Sequence, residues 1–202
     1  MTFNKNEMSD FWIYFQIGLQ HVLSFNAYDH ILFLVVLTAP YLLKDWKRIL
    51  ILVSVFTIGH TLALLFSVSG IVFLQARTIE FLILLSILIT AFSNLISIGV
   101  FSKSIKPNSI LIVTALFGII HGLGFSNYFN AILTGNVMDK LLPTMSFAFG
   151  IEAAQIVIVL SALTTSILSQ HFLKLSKRDW VLITSSLVIG VILPILFKNK
   201  IG

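Results

Sequence analysis

Seven apolar runs, separated by short polar breaks, take up almost all of this 202-residue chain. They cover about residues 10–24, 29–43, 49–70, 78–101, 109–132, 143–170 and 180–197, and the breaks carry charged or turn residues. A helix needs roughly 20 apolar residues, within a range of 17–25, to cross the hydrocarbon of a bilayer. The third to sixth runs meet that length, and the first two are short. Either those two cross with tilt, or the first is partly re-entrant around the linker Phe25-Asn26-Ala27-Tyr28. Irregular backbone at such a depth is tolerated only against protein or a wet cavity. The pattern predicts an all-α fold, a polytopic membrane helix bundle of six or seven transmembrane helices forming one domain over residues 1–202.

Composition agrees. The chain is 57% hydrophobic and 10% charged, where a soluble domain carries about 25% charge. No stretch between the runs is long enough for a separate soluble domain. The absence of cysteine excludes thiolate metal sites, disulfides and cysteine nucleophiles. The N-terminal MTFNKNEMSD is polar and contains acids, unlike a cleavable signal peptide, which starts basic and turns apolar at once.

The formal charge of +5 needs no nucleic-acid partner, because the basic residues sit in short loops. Lys44, Lys47 and Arg48, then Lys103 and Lys106, then Lys174, Lys177 and Arg178 follow the second, fourth and sixth runs. With Lys5 they make nine cations on one side, against Arg77, Lys140, Lys198 and Lys200 on the other, if every run spans. The positive-inside rule makes the first side cytoplasmic. If the first run only dips in, the count is eight against five, with the same sign. This orientation suits a bacterial inner membrane, with loops 44–48, 103–106 and 174–178 in the cytoplasm. The expected partners are the lipid bilayer and a metal ion; oligomeric state is left open.

The metal is suggested by polar residues inside the apolar runs: His21, Asp29, His30, His60, Glu80, His121 and Glu152. An ionisable group in the bilayer interior costs about 2.5–3.5 kcal/mol on insertion scales. At about 1.5 Å of rise per residue, all of these groups fall in the outer half of the membrane, whereas random placement would scatter them. Imidazole plus carboxylate is a ligand set for a divalent transition metal such as Ni²⁺, Co²⁺ or Zn²⁺, not for Mg²⁺ or Ca²⁺. Gly118, Gly122 and Gly124 let a neighbouring backbone approach beside His121. Thr57, Thr61, Ser126, Asn127 and Gln155 are candidates to orient the ligands.

His21 and Asp29-His30 followed by Ile-Leu-Phe, then FTIGHT (56–61), then FGIIHGLGFSNY (117–128), resemble the HupE/UreJ family of small membrane proteins over about residues 17–160. The three motifs stand in the family's order. The resemblance implies a nickel or cobalt permease of the kind linked to hydrogenase and urease maturation, with His21, Asp29, His30, His60 and His121 on the family's polar positions. Seven residues separate His21 from Asp29, more than is typical for the family.

Plainer readings stand beside these. His60 and His121 are each explained by a bond to a neighbouring helix. Asp29 suits a helix cap. Glu80 suits snorkelling to the surface or pairing with Arg77 on the same helix. His171 sits at a helix end. Asn94 suits either an exit path or a cross-helix bond, and the eighteen phenylalanines suit lipid contact and core packing. A different function is also open: a zinc-type intramembrane hydrolase in which Glu80 or Glu152 is general base to metal-bound water. Haem binding by His60 and His121 leaves the acids unexplained. A retinal protein lacks its mid-membrane lysine in the seventh run.

Overall fold

The apolar runs fold as helices wherever the computed structural model describes the chain, over residues 5–24, 27–69, 75–98, 107–133 and 138–201. In order they are α1 (Lys5–Leu23), α2 (Tyr28–Thr38), a 3-10 turn (Leu43–Asp45), α3 (Trp46–Val68), α4 (Ala76–Ile98), α5 (Pro107–Ile132), α6 (Leu141–Phe172) and α7 (Lys177–Ile201). There is no strand among the described residues. Residues 25–26 of the predicted re-entrant linker, and the basic loop 103–106, lie outside the described residues.

Helices α3 to α7 are each long and apolar enough to cross a bilayer. The first two runs differ from them. Helix α2 has 11 residues, which at 1.5 Å per residue is about 16 Å, half the hydrocarbon thickness. Residues Ser9–Leu23 and Tyr28–Thr38 meet at 71° and reach the needed length only as one broken span, the sixth.

Helix α2 stops short of its apolar run because of Pro40. A proline has no N–H to give the carbonyl four residues earlier, here that of Val36. The Nδ2 of Asn94 on α4 donates to the Val36 carbonyl instead, at 2.7 Å, and also reaches Ser185 Oγ on α7 at 3.3 Å. One buried amide thereby ties three helices together at a point where the α2 backbone is incomplete.

The bundle is apolar outside, and its buried polar side chains sit among an apolar core. On α3, Thr57, His60 and Thr61 are buried, while Ile58, Leu62 and Phe66 face outward. This is the arrangement expected of helices solvated by lipid, where polar side chains turn to the interior.

Glycine sets the closest helix contacts. Gly59 of α3 lies against the Ala115 backbone of α5; Gly118 and Gly122 of α5 lie against the carbonyls of Phe56 and His60. A Cβ at any of the three would overlap the facing carbonyl oxygen. Contact moves in the same direction along both helices, so α3 and α5 run parallel and α4 returns between them. Helices α1 and α6 use the same device, with Gly18 against the Phe147 carbonyl and Gly150 against that of Phe15. These contacts bring the histidine-bearing stretches of α3 and α5 side by side.

Candidate metal centre

His21 near the end of α1, His30 in the first turn of α2 and His60 on α3 converge. Each offers a ring nitrogen, and the three nitrogens lie within 4.8 Å of one another. Ring centroids are 4.8 Å apart for His21 and His30, 5.8 Å for His21 and His60, and 5.9 Å for His30 and His60. His121 of α5 adjoins the group, its centroid 5.2 Å from that of His30. His30, His60 and His121 are buried to within 3% of full exclusion. A tetrahedral ion with 2.0–2.1 Å bonds to nitrogen needs donors about 3.4 Å apart, so modest closure of the rings would hold one.

Two of the rings are oriented by their other nitrogen. His30 Nδ1 faces Asp29 Oδ1 at 3.1 Å, and His121 Nδ1 faces the Phe117 carbonyl at 2.8 Å. A carboxylate and a carbonyl only accept, so Nδ1 carries the proton in both rings and Nε2 keeps its lone pair. Those Nε2 atoms, with His21 Nε2 and both nitrogens of His60, are buried and have no hydrogen-bond partner. Burying an unpaired polar atom costs roughly 1–3 kcal/mol. Several together in one place mark a site built for a ligand, and their chemistry, bare imidazole nitrogen, fits a divalent transition metal.

The acids do not join the histidines. Asp29 touches His30 through the ring nitrogen that points away from the free Nε2, and its oxygen also accepts from the His30 N–H at 2.9 Å. Glu152 on α6 accepts from Ser54 Oγ at 2.5 Å. Ser54 is six residues, about 9 Å, below His60 along α3. Glu80, four residues after the start of α4, is exposed. Of the seven residues expected at one centre, the structure gathers four histidines with Asp29 behind one of them; Glu152 turns to Ser54, and Glu80 is exposed near Tyr28 at the start of α2. The expected orienting groups differ too. Thr57 bonds Gln155 at 2.8 Å, Thr61 bonds the Thr57 carbonyl and Ser126 the Leu123 carbonyl, while Asn127 is exposed.

The walls of the site are aromatic. Phe125 lies 3.8 Å and Phe147 5.7 Å from His21, centroid to centroid. On the other side Phe56 and Phe33 lie 5.1 and 5.3 Å from His121. These rings exclude water and keep the nitrogens from other partners. Sequence reading assigned the phenylalanines to lipid and general core. A signal was present: Phe56 precedes His60 by four residues, and Phe117, His121 and Phe125 are spaced by four, which stacks them on one helix face.

A family model described as HupE / UreJ protein matches residues 1–200. No curated protein and no solved structure matches the chain.

Proposed function

The chain belongs to the HupE/UreJ family, and from that premise we propose that it is a divalent transition-metal permease of the nickel/cobalt type, sited in a bacterial inner membrane. One observation carries the reading: the buried, unpartnered imidazole nitrogens of His21, His30 and His60 within 4.8 Å of one another, with His121 adjoining. The metal ion is the substrate. Neutral imidazoles replace its water ligands, Asp29 and the Phe117 carbonyl hold two rings at the right angle, and the Phe walls keep solvent out. Neutral ligands leave the ion its positive charge in a water-poor site, which favours release over permanent storage. Loops 44–48, 103–106 and 174–178 face the cytoplasm by their positive charge.

The hydrolase alternative needs a general base within about 2.6–3.2 Å of the proton that it takes. Glu152 is engaged by Ser54 and Glu80 is exposed on α4, so the geometry supports transport better. The test pairs equilibrium Ni²⁺ and Co²⁺ binding with accumulation in proteoliposomes. Wild-type protein is expected to bind and accumulate metal, and His60→Ala to do neither while remaining folded. Binding without movement would favour the hydrolase, and no binding at all overturns the proposal.

A further inference from the structure

Between the histidine cluster and the face carrying Lys44, Lys47 and Arg48 lies a cavity of about 440 Å³. Its polar lining comes from the second half of α4, with Thr90, Ser93, Asn94 and Ser97, and the first half of α5, with Ser109 and Thr114. Thr90 and Ser97 hydroxyls donate to carbonyls within α4, at 2.9 Å each. Their oxygens therefore keep lone pairs free to accept from elsewhere. Leu37, Ile89, Ile110 and Val113 supply much of the remaining lining, so the hydroxyls form a polar stripe along one side, which is wasteful against lipid and suited to water. Arg48 lies in the lining near the basic face, 5.3 Å over the ring of Tyr41.

The inner end of this cavity is Phe117. The same residue holds His121 through its carbonyl. Its ring packs on Phe33 at 5.9 Å, and Phe33 packs on Phe56 at 4.9 Å and on His121 at 5.3 Å. Three aromatic rings thus stand between the imidazoles and the hydroxyl-lined space.

We propose that this cavity is the basic-face half of the permeation path, a water-filled vestibule that receives the hydrated divalent cation from the histidines, and that Phe117 with Phe33 and Phe56 is the gate between them. The inference rests on the permease reading. Rotation of the Phe117 side chain would open the vestibule while its backbone carbonyl goes on holding His121, so the gate can move without disturbing the oriented ring.

The chain has no cysteine, so single cysteines can be introduced without removing native ones. In reconstituted full-length protein, Thr90→Cys and Ser93→Cys are expected to react with a membrane-impermeant trimethylammonium methanethiosulfonate added from the basic face. Reaction should be at least about tenfold faster than at Ile112→Cys, because only a hydrated thiol ionises readily; Ile112 is 63% exposed on the outside of α5. Reagent from the opposite face should leave both unmodified. His121→Cys should be unreactive from the basic face while Phe117 is present and become reactive with Phe117→Ala. If the α4 cysteines react no faster than Ile112→Cys, the cavity holds lipid and the vestibule is overturned. If Phe117→Ala leaves His121→Cys unreactive, the gate is overturned. Metal binding by the cysteine-free protein is measured separately. Its absence with the labelling pattern intact overturns the permease reading alone, leaving a gated aqueous cavity of another use.

Discussion

Asp29 and the Phe117 carbonyl each fix the tautomer of a buried ring, and this has consequences that can be measured. Asp29→Asn keeps size and an accepting oxygen but removes the negative charge behind His30. Partners of this kind typically contribute 10–100-fold to metal affinity. We expect Asp29→Asn to weaken Ni²⁺ binding by about that factor in calorimetry, with unchanged unfolding temperature; unchanged affinity would reduce Asp29 to a first-turn acid at the positive end of α2. Proton competition follows from the same chemistry. Imidazole ligates only when neutral, and its reference pKa is about 6.5. Affinity is therefore lost in acid, as the rings take up protons. An affinity that does not fall in acid at all would be incompatible with a site made of histidines.

At the scale of helices, two devices bear the architecture. The first is the glycine seam between α3 and α5. Replacing Gly118 or Gly122 by Leu forces the facing carbonyls of Phe56 or His60 away. Overpacking of this kind costs about 1–3 kcal/mol or more. The expected outcome is a lower melting temperature in detergent together with lost metal binding, since the seam sets the distance from His60 to His121. The second device is the Pro40–Val36–Asn94 link. Asn94→Leu leaves the Val36 carbonyl buried and unpaired, costing about 1–3 kcal/mol. Pro40→Ala supplies the missing N–H and should recover part of that loss. A double-mutant cycle read by thermal unfolding should show the two substitutions to be non-additive. Strict additivity would mean that Asn94 stabilises α4 by some other contact.

Over the whole molecule, the direction of each span decides which face is basic, and parallel α3 and α5 give the alternation that the loop charges require. Single cysteines at Lys47 and Lys174 should label from the same side of oriented vesicles, and one at Lys140 from the other. The sequence by itself determined the class of fold and the positions of the long helices to within a few residues. Run length, apolar content and a constant helical rise are local quantities, so they can be counted along the chain. Tertiary structure decided which polar residues meet. Height along a helix follows from residue number, but facing direction depends on how neighbouring helices are rotated and how closely they approach. Glu152 sits at an apolar-run position as suggestive as that of His60, yet its side of α6 meets Ser54. The break between α1 and α2, the closure of α2 by an amide from α4, and the ranking of phenylalanines into lipid-facing and site-lining sets were likewise not countable. Each depends on contacts between segments far apart in the chain, and an aromatic ring is equally at home against lipid and against a buried imidazole.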